Sequence, residues 1–238
     1  MLKIEHLTKH YPGSDKGVTD LSLHIAPGDL YAFIGHNGAG KTTTLKAACG
    51  IHTFDSGKIT ACGIDVKRDA LAAKREMAYI PDNPDLFSYL TGIQYLNFVA
   101  DVFALSASVR KERIAQYADA FELTASLGDL ISTYSHGMKQ KLAIISALIH
   151  EPKLLILDEP FVGLDPKAAL TLKEFMRKLC SEGGAVFFST HVLEVAEKLC
   201  NKVAIIKDGR LIASGDMAQI VKDGSSLESI FMEVSVDE

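Results

Sequence analysis

The 238-residue chain has no tryptophan, four cysteines and seven prolines. Cys49, Cys62, Cys180 and Cys200 are widely separated and form no C-x-x-C pair, so they read as free thiols in a reducing compartment rather than as metal ligands or disulfides. A basic excess is missing too. Lys and Arg total 25 against 30 Asp and Glu, a net charge of −5, which argues against a general nucleic-acid binder. No apolar run approaches the roughly 20 residues that a membrane-spanning helix needs. The opening MLKIEHLTKHY has scattered charge and no apolar signal-peptide core. The expectation is a soluble chain that meets a membrane only through a partner.

What is present is a core: 47% of the residues are hydrophobic, ample for one large domain or a domain with a lobe. The first thirty residues alternate. Leu21, Leu23 and Ile25 share one face of Asp20–Ala26, as in a half-buried antiparallel strand. Pro27–Gly28–Asp29 turns into the apolar run Leu30–Ile34, a buried strand that empties into a glycine-rich loop and then a helix over Lys41–Cys49. Gly57–Ile59 and Ile64–Val66 read as edge strands and Met77–Ile80 as a core strand.

From Pro81 to about Thr133 the pattern is helical, over Tyr89–Leu105 and Val109–Phe121, with no strand between. Beyond it helix and strand alternate: helix 137–150, strand Leu154–Leu157, helix 167–181, strand Ala185–Ser189, helix 192–199, strand Val203–Ile206. That order predicts a mainly parallel sheet covered on both faces. Asp208–Gly209 closes a hairpin onto Arg210–Ala213, and the last dozen residues read as a helix with a frayed acidic tail.

GHNGAGKT at Gly35–Thr42 fits G-x-x-x-x-G-K-[ST], and it lies between a predicted strand and a predicted helix, the context the phosphate-binding loop requires. Glycines let the backbone wrap phosphate, and successive N–H groups with the helix N-terminus supply positive potential. Gly35, His36, Asn37, Gly38, Ala39, Gly40, Lys41, Thr42 and Thr43 are the phosphate-side candidates. Lys41 is expected to neutralise the β- and γ-phosphates and the Thr42 hydroxyl to bind Mg²⁺. The strand Leu154–Leu157 delivers Asp158 and Glu159 to the same sheet edge. Asp158 is expected to hold Mg²⁺ through its water shell, and Glu159 to polarise a water for attack on the γ-phosphate. Strand alternation is expected to point these two side chains apart.

The order Tyr11, GHNGAGKT, Asp82, YSHGMKQK, LLILDEP, GLDP, His191 resembles the ATP-binding subunit of an ATP-binding cassette (ABC) transporter, over roughly residues 2–222. The resemblance implies that Tyr11 stacks on adenine and that His191 contacts the γ-phosphate and positions the attacking water. It also implies that Ser135 and Gly137 contact ATP held by an opposing subunit, and that Asp165 links the two sites. Ser135 is a plausible helix N-cap followed by free amides, an anion site to spare in a chain with one nucleotide loop. A head-to-tail dimer enclosing two ATP molecules, with itself or a paralogous cassette, accounts for it.

Three positions depart from the family pattern: His136 replaces the first glycine of the signature, Met138 its last glutamine, and Asp82 the glutamine after the strand before the helical lobe. Asp82 is expected to meet Mg²⁺ only through water.

The implied fold is α/β: a P-loop NTPase core (1–80 and 134–222) with a mainly parallel sheet and an N-terminal antiparallel β subdomain. An inserted helical subdomain (81–133) and a C-terminal helix and tail (223–238) complete a single ABC ATPase domain. YSHGMKQK, YIPDNPDLFSYLTG and the tail SLESIFMEV resemble the exporter branch whose membrane subunits are separate chains. In that tail Leu227, Ile230, Phe231 and Val234 fall at helical spacing. Leu86–Leu90, with Phe87 and Tyr89, is the candidate contact for a transmembrane permease subunit.

The expected function is ATP hydrolysis that powers transport, with the chain on the cytoplasmic face of the membrane. The alternative is a cassette ATPase acting on the ribosome or DNA, with which a single cassette and the lack of cysteine pairs fit poorly.

Overall fold

The computed structural model describes residues 1–13, 16–221 and 226–236. In chain order the strands are β1 (Leu2–His10), β2 (Gly17–Ile25), β3 (Leu30–Ile34), β4 (Ser56–Ala61), β5 (Ile64–Asp65), β6 (Met77–Ile80), β7 (Leu154–Asp158), β8 (Ala185–Thr190), β9 (Lys202–Lys207) and β10 (Arg210–Asp216). The helices are α1 (Lys41–Ala48), α2 (Ala70–Arg75), α3 (Gly92–Val102), α4 (Ala107–Ala120), α5 (His136–Leu148), α6 (Pro166–Ser181), α7 (Leu193–Leu199), α8 (Met217–Ile220) and α9 (Leu227–Val236).

Two sheets form. One has the order β2-β1-β4-β5, with its β1–β2, β1–β4 and β4–β5 pairs antiparallel. The other has the order β10-β9-β3-β8-β7-β6, and β9, β3, β8 and β7 run parallel. The expected α/β architecture, with an antiparallel β subdomain beside a parallel-rich sheet, is what the structure has. Every residue of β3, β7 and β8 is buried, as a sheet covered on both faces requires. β2 alternates buried and open positions, so one of its faces looks outward. β1 alternates until a bulge between Ile4 and Leu7, where His6 takes a left-handed φ of 51°.

The chain divides into two compact units. The first takes in Met1–Tyr79, Lys153–Pro160 and Met176–Glu238, the second Ile80–Pro152 and Phe161–Phe175. In the second unit, residues 81–133 fall together with α5 and the opening of α6. Its core gathers Leu96, Ile114, Tyr117, Ile131 and Leu142, with Phe175 meeting Tyr117 edge-on at 5.2 Å and stacking on Phe121 at 5.8 Å.

Helix starts follow capping side chains. Thr91 and Gln94 form a capping box, so α3 begins at Gly92 and not at Tyr89. Ser106 caps α4, which begins at Ala107, two residues before the expected start. α2 was not anticipated, since six residues capped by Asp69 carry too little periodicity.

All four cysteines are free, Cys49 and Cys200 buried, as expected. α9 packs on α7 through fully buried Leu227, whose N–H donates to Glu197 at 2.8 Å. The Val234 side chain and the expected tail at 237–238 lie outside the described residues.

Candidate functional site

The first unit brings three chain segments to one edge of the parallel sheet. Ile34 at the end of β3 pairs with Thr190 of β8, and Ser189 of β8 pairs with Asp158 at the end of β7. Gly35, Glu159 and His191 therefore leave the carboxyl ends of three adjacent parallel strands, the edge at which open α/β sheets take their ligands.

The phosphate loop opens α1 without a side-chain cap. Gly40 serves as N-cap at φ 107°, and a Cβ there would lie 2.7 Å from Val18 Cγ1. Only glycine both adopts that backbone and tolerates that approach. The first-turn amides of α1 have no intrahelical partners and are free to meet an anion.

Lys41 is 7% exposed, and its ammonium donates to the carbonyls of Gly35 (2.6 Å) and His36 (3.2 Å). Burial holds its pKa below the ordinary lysine value, while Glu159 and Asp158 pull it upward. Glu159 Oε1 is 3.9 Å away, an ion pair without a hydrogen bond. A buried cation whose hydrogen bonds go to its own loop's carbonyls suits an incoming polyanion. Beside it, His36 Nε2 lies 3.5 Å from Asp208, and the Asn37 carbonyl is 3.0 Å from His36 Nδ1.

One serine holds the Asp158 carboxylate and the Glu159 backbone N–H. Thr42 Oγ1 donates to Asp158 Oδ2 at 2.6 Å, and Ser189 Oγ donates to Asp158 Oδ1 at 2.5 Å. The same Ser189 oxygen accepts the Glu159 N–H at 3.0 Å. Glu159 Oε2 lies 2.9 Å from His191 Nδ1 and also accepts the His191 N–H at 3.4 Å.

The expected reason for the divergence of Asp158 and Glu159 needs correction. β7 ends at Asp158, and Glu159 has a left-handed φ of 47°, so a backbone turn and not strand alternation sends its side chain to His191. Sequence reasoning missed Ser189. Its signal was a polar Ser–Thr pair ending the apolar strand AVFFST.

Thr42 and Asp158 form a compact pair of hard oxygen donors, which fits Mg²⁺ held jointly with phosphate and water. No cluster of three or more metal-ligating side chains exists among the described residues, so the protein alone offers no closed cage. Tyr11 is half-buried, its hydroxyl 3.4 Å from Thr43 Oγ1 and its ring edge-on to His52 at 6.2 Å.

Ser135, Gly137, Asp165 and Asp82 all belong to the second unit. Ser135 caps α5, accepting the Met138 N–H at 3.3 Å. That bond uses one of the amides expected to be free and leaves those of His136 and Gly137 without intrahelical partners. Asp165 Oδ1 accepts the Ala168 N–H at 2.9 Å, and Oδ2 pairs with Lys141 at 2.6 Å. The Lys141 contact, then the amide, hold the Asp165 carboxyl below the usual range. Asp82 is exposed in the segment after β6.

A protein-family model described as ABC transporter matches residues 18–162. The chain belongs to the ABC transporter family. Among curated relatives it is 36% identical over 213 residues to the uncharacterized ABC transporter ATP-binding protein YhcH of Bacillus subtilis (strain 168), covering 89% of this chain and 68% of that one. It is 34% identical over 220 residues to the Nod factor export ATP-binding protein I of Paraburkholderia xenovorans (strain LB400), covering 92% and 72%. A solved structure of an ATP-binding subunit of an ABC transporter superposes with a TM-score of 0.94 at 33% identity, covering 99% of both chains. The protein is thus an ABC transporter's ATP-binding subunit and an ATPase.

Proposed function

We propose that this ABC ATPase subunit hydrolyses MgATP at a site shared with a second cassette, and so drives export through a separate membrane subunit. The observation that carries the reading is the convergence of Lys41, the Thr42–Asp158 pair and the Glu159–His191 pair at the ends of adjacent parallel strands.

In this scheme the α1 amides and Lys41 receive the β- and γ-phosphates, and Tyr11 stacks on adenine. Thr42 and Asp158 would hold Mg²⁺. The chemistry supplied there would be neutralisation of the phosphate charge. Glu159 accepts the proton of the attacking water, while His191 orients the Glu159 carboxylate and contacts the γ-phosphate. The γ-phosphorus bond to the bridging oxygen breaks, and ADP leaves with phosphate.

Ser135 and Gly137 meet the ATP of the opposing cassette, and Asp165 couples the two sites. ATP closes the head-to-tail dimer because it binds the closed state better than the open one, and hydrolysis releases it. Whether the second cassette is a copy or a paralogue does not alter this chemistry.

Export is supported by the exporter-like signature segment and by the relative named for Nod factor export. A membrane partner is supported by an exposed aromatic patch in the second unit: Phe87, Tyr89 and Phe98 are 41%, 73% and 47% exposed, with Phe87 stacked on Tyr89. No helix among the described residues is long and apolar enough to cross a membrane. Attachment to the cytoplasmic face would therefore come through that partner.

The test is Glu159→Gln. ATP turnover should fall by about two to three orders of magnitude, as for loss of a general base. Light scattering should then show an ATP-dependent dimer. A variant that stays monomeric in saturating ATP contradicts the shared site.

A further inference from the structure

The signature turn of this chain carries a histidine where the family pattern has a glycine, and that side chain has a contact. Gly163, in the GLDP turn, has a left-handed φ of 78°. A Cβ built there would lie 2.4 Å from His136 Cδ2 and 2.8 Å from His136 Nε2, so the imidazole ring packs directly on the Gly163 backbone. One residue on, a Cβ at Gly137 would lie 2.8 Å from the Gly163 carbonyl oxygen. One turn further along α5, Lys141 holds Asp165 at 2.6 Å, and Asp165 in turn caps α6 at Ala168. The start of α5 and the GLDP turn thus meet at three successive points: a ring on a glycine, a glycine against a carbonyl, and an ion pair.

We infer that His136 is a positioning residue: its ring, laid on Gly163, fastens the signature turn to the Asp165 turn so that both face a neighbouring subunit's nucleotide as one piece. This rests on the shared-site reading above. A glycine at 136 would leave Gly163 uncovered and take the ring away from beside the Gly137 contact and the flexible Lys141 side chain that also join the two turns. A planar ring fixes the separation and tilt of the two backbones through packing, which a Cβ-less residue cannot do. The proposal assigns the ring's shape, not its ability to carry a proton.

The experiment uses the full chain. For His136→Gly, kcat for ATP should fall about tenfold, because small misplacement of a positioning element is costly. The affinity of the monomer for a fluorescent ATP analogue should stay within about twofold of wild type, since that binding uses the first unit's loop. His136→Phe should restore most of kcat, and Gly163→Ala should reproduce the His136→Gly loss by displacing the ring. A wild-type kcat for His136→Gly overturns the inference. So does a His136→Phe variant as slow as His136→Gly, which would assign the effect to the ring nitrogens.

The Glu159→Gln background separates this inference from the reading beneath it. If Glu159→Gln alone forms no ATP dimer, the shared site fails whatever His136 does. If that dimer forms, adding His136→Gly should raise the ATP concentration needed for it about tenfold. An unchanged requirement overturns the role of His136 alone.

Discussion

α1 and α5 both open on a turn that carries glycine, and they are built for different work. α1 has Gly40 as its N-cap and no capping side chain, so its first amides are unclaimed. Around it stand a buried lysine, a serine that holds the Asp158 carboxylate and the Glu159 backbone, and a histidine on the Glu159 carboxylate. α5 is capped by Ser135, which claims the Met138 amide, and the ion pair of its opening turns is Lys141 with Asp165. The first turn brings its own cation, base and metal-side oxygens. The second offers two amides and a hydroxyl, held to a neighbouring turn. Helix N-termini of similar sequence texture take their meaning from what other strands deliver to them. In the proposed scheme the α1 end is a catalytic half, and the α5 end serves a phosphate that another chain brings.

If the α1 end is complete in itself, its most sensitive joint is Ser189. Ser189→Ala leaves Asp158 Oδ1 and the Glu159 N–H without their shared partner in a site where Ser189 is fully buried. We expect kcat to fall about ten- to a hundredfold with KM for ATP little changed. Urea unfolding should show a loss of about 1–3 kcal/mol, typical of unsatisfied buried groups. An unchanged kcat would mean that the Asp158 carboxylate and the Glu159 backbone hold their geometry without the serine.

The smallest effect belongs to the α5 end. Lys141 holds the Asp165 carboxyl below its ordinary pKa, and a depressed carboxyl adds stability above the unfolded-state value that is lost as pH falls through the folded one. Lys141→Met should remove part of that acid-side loss. Because Asp165 is largely exposed and screened, the difference in stability is expected to be a few tenths of a kcal/mol. Unfolding midpoints compared at neutral pH and below the ordinary aspartate pKa would measure it. A gap that widens toward low pH would reverse the sign.

Much of the fold was legible because burial on both faces writes itself as continuous apolar runs: Leu30–Ile34 and Met77–Ile80 lie where those runs put them. β1 was less legible, since the bulge at His6 breaks its alternation and makes two short patterns of one strand. The helix starts at Gly92 and Ala107 depend on single capping side chains, Thr91 and Ser106, that periodicity does not weigh.

At the site, the residue types along GHNGAGKT and LLILDE were enough to nominate Lys41, Thr42, Asp158 and Glu159. Their mutual arrangement was not, because it depends on strand register and on a left-handed turn at Glu159. Ser189 escaped because a serine ending a buried strand looks like any strand terminus. The packing of His136 on Gly163 escaped because it joins turns 27 residues apart along the chain.

The central claim is that each ATP lies between the α1 end of one subunit and the α5 end of another. Mixing two inactive variants tests it most directly. Lys41→Ala disables the phosphate loop and Ser135→Arg the signature turn, so each homodimer should turn over little ATP. A mixed dimer built head to tail contains one site with both defects and one with neither, and the account predicts that ATPase activity reappears on mixing. Activity that stays at the level of the separate variants, in a mixture shown to contain the heterodimer, would contradict it.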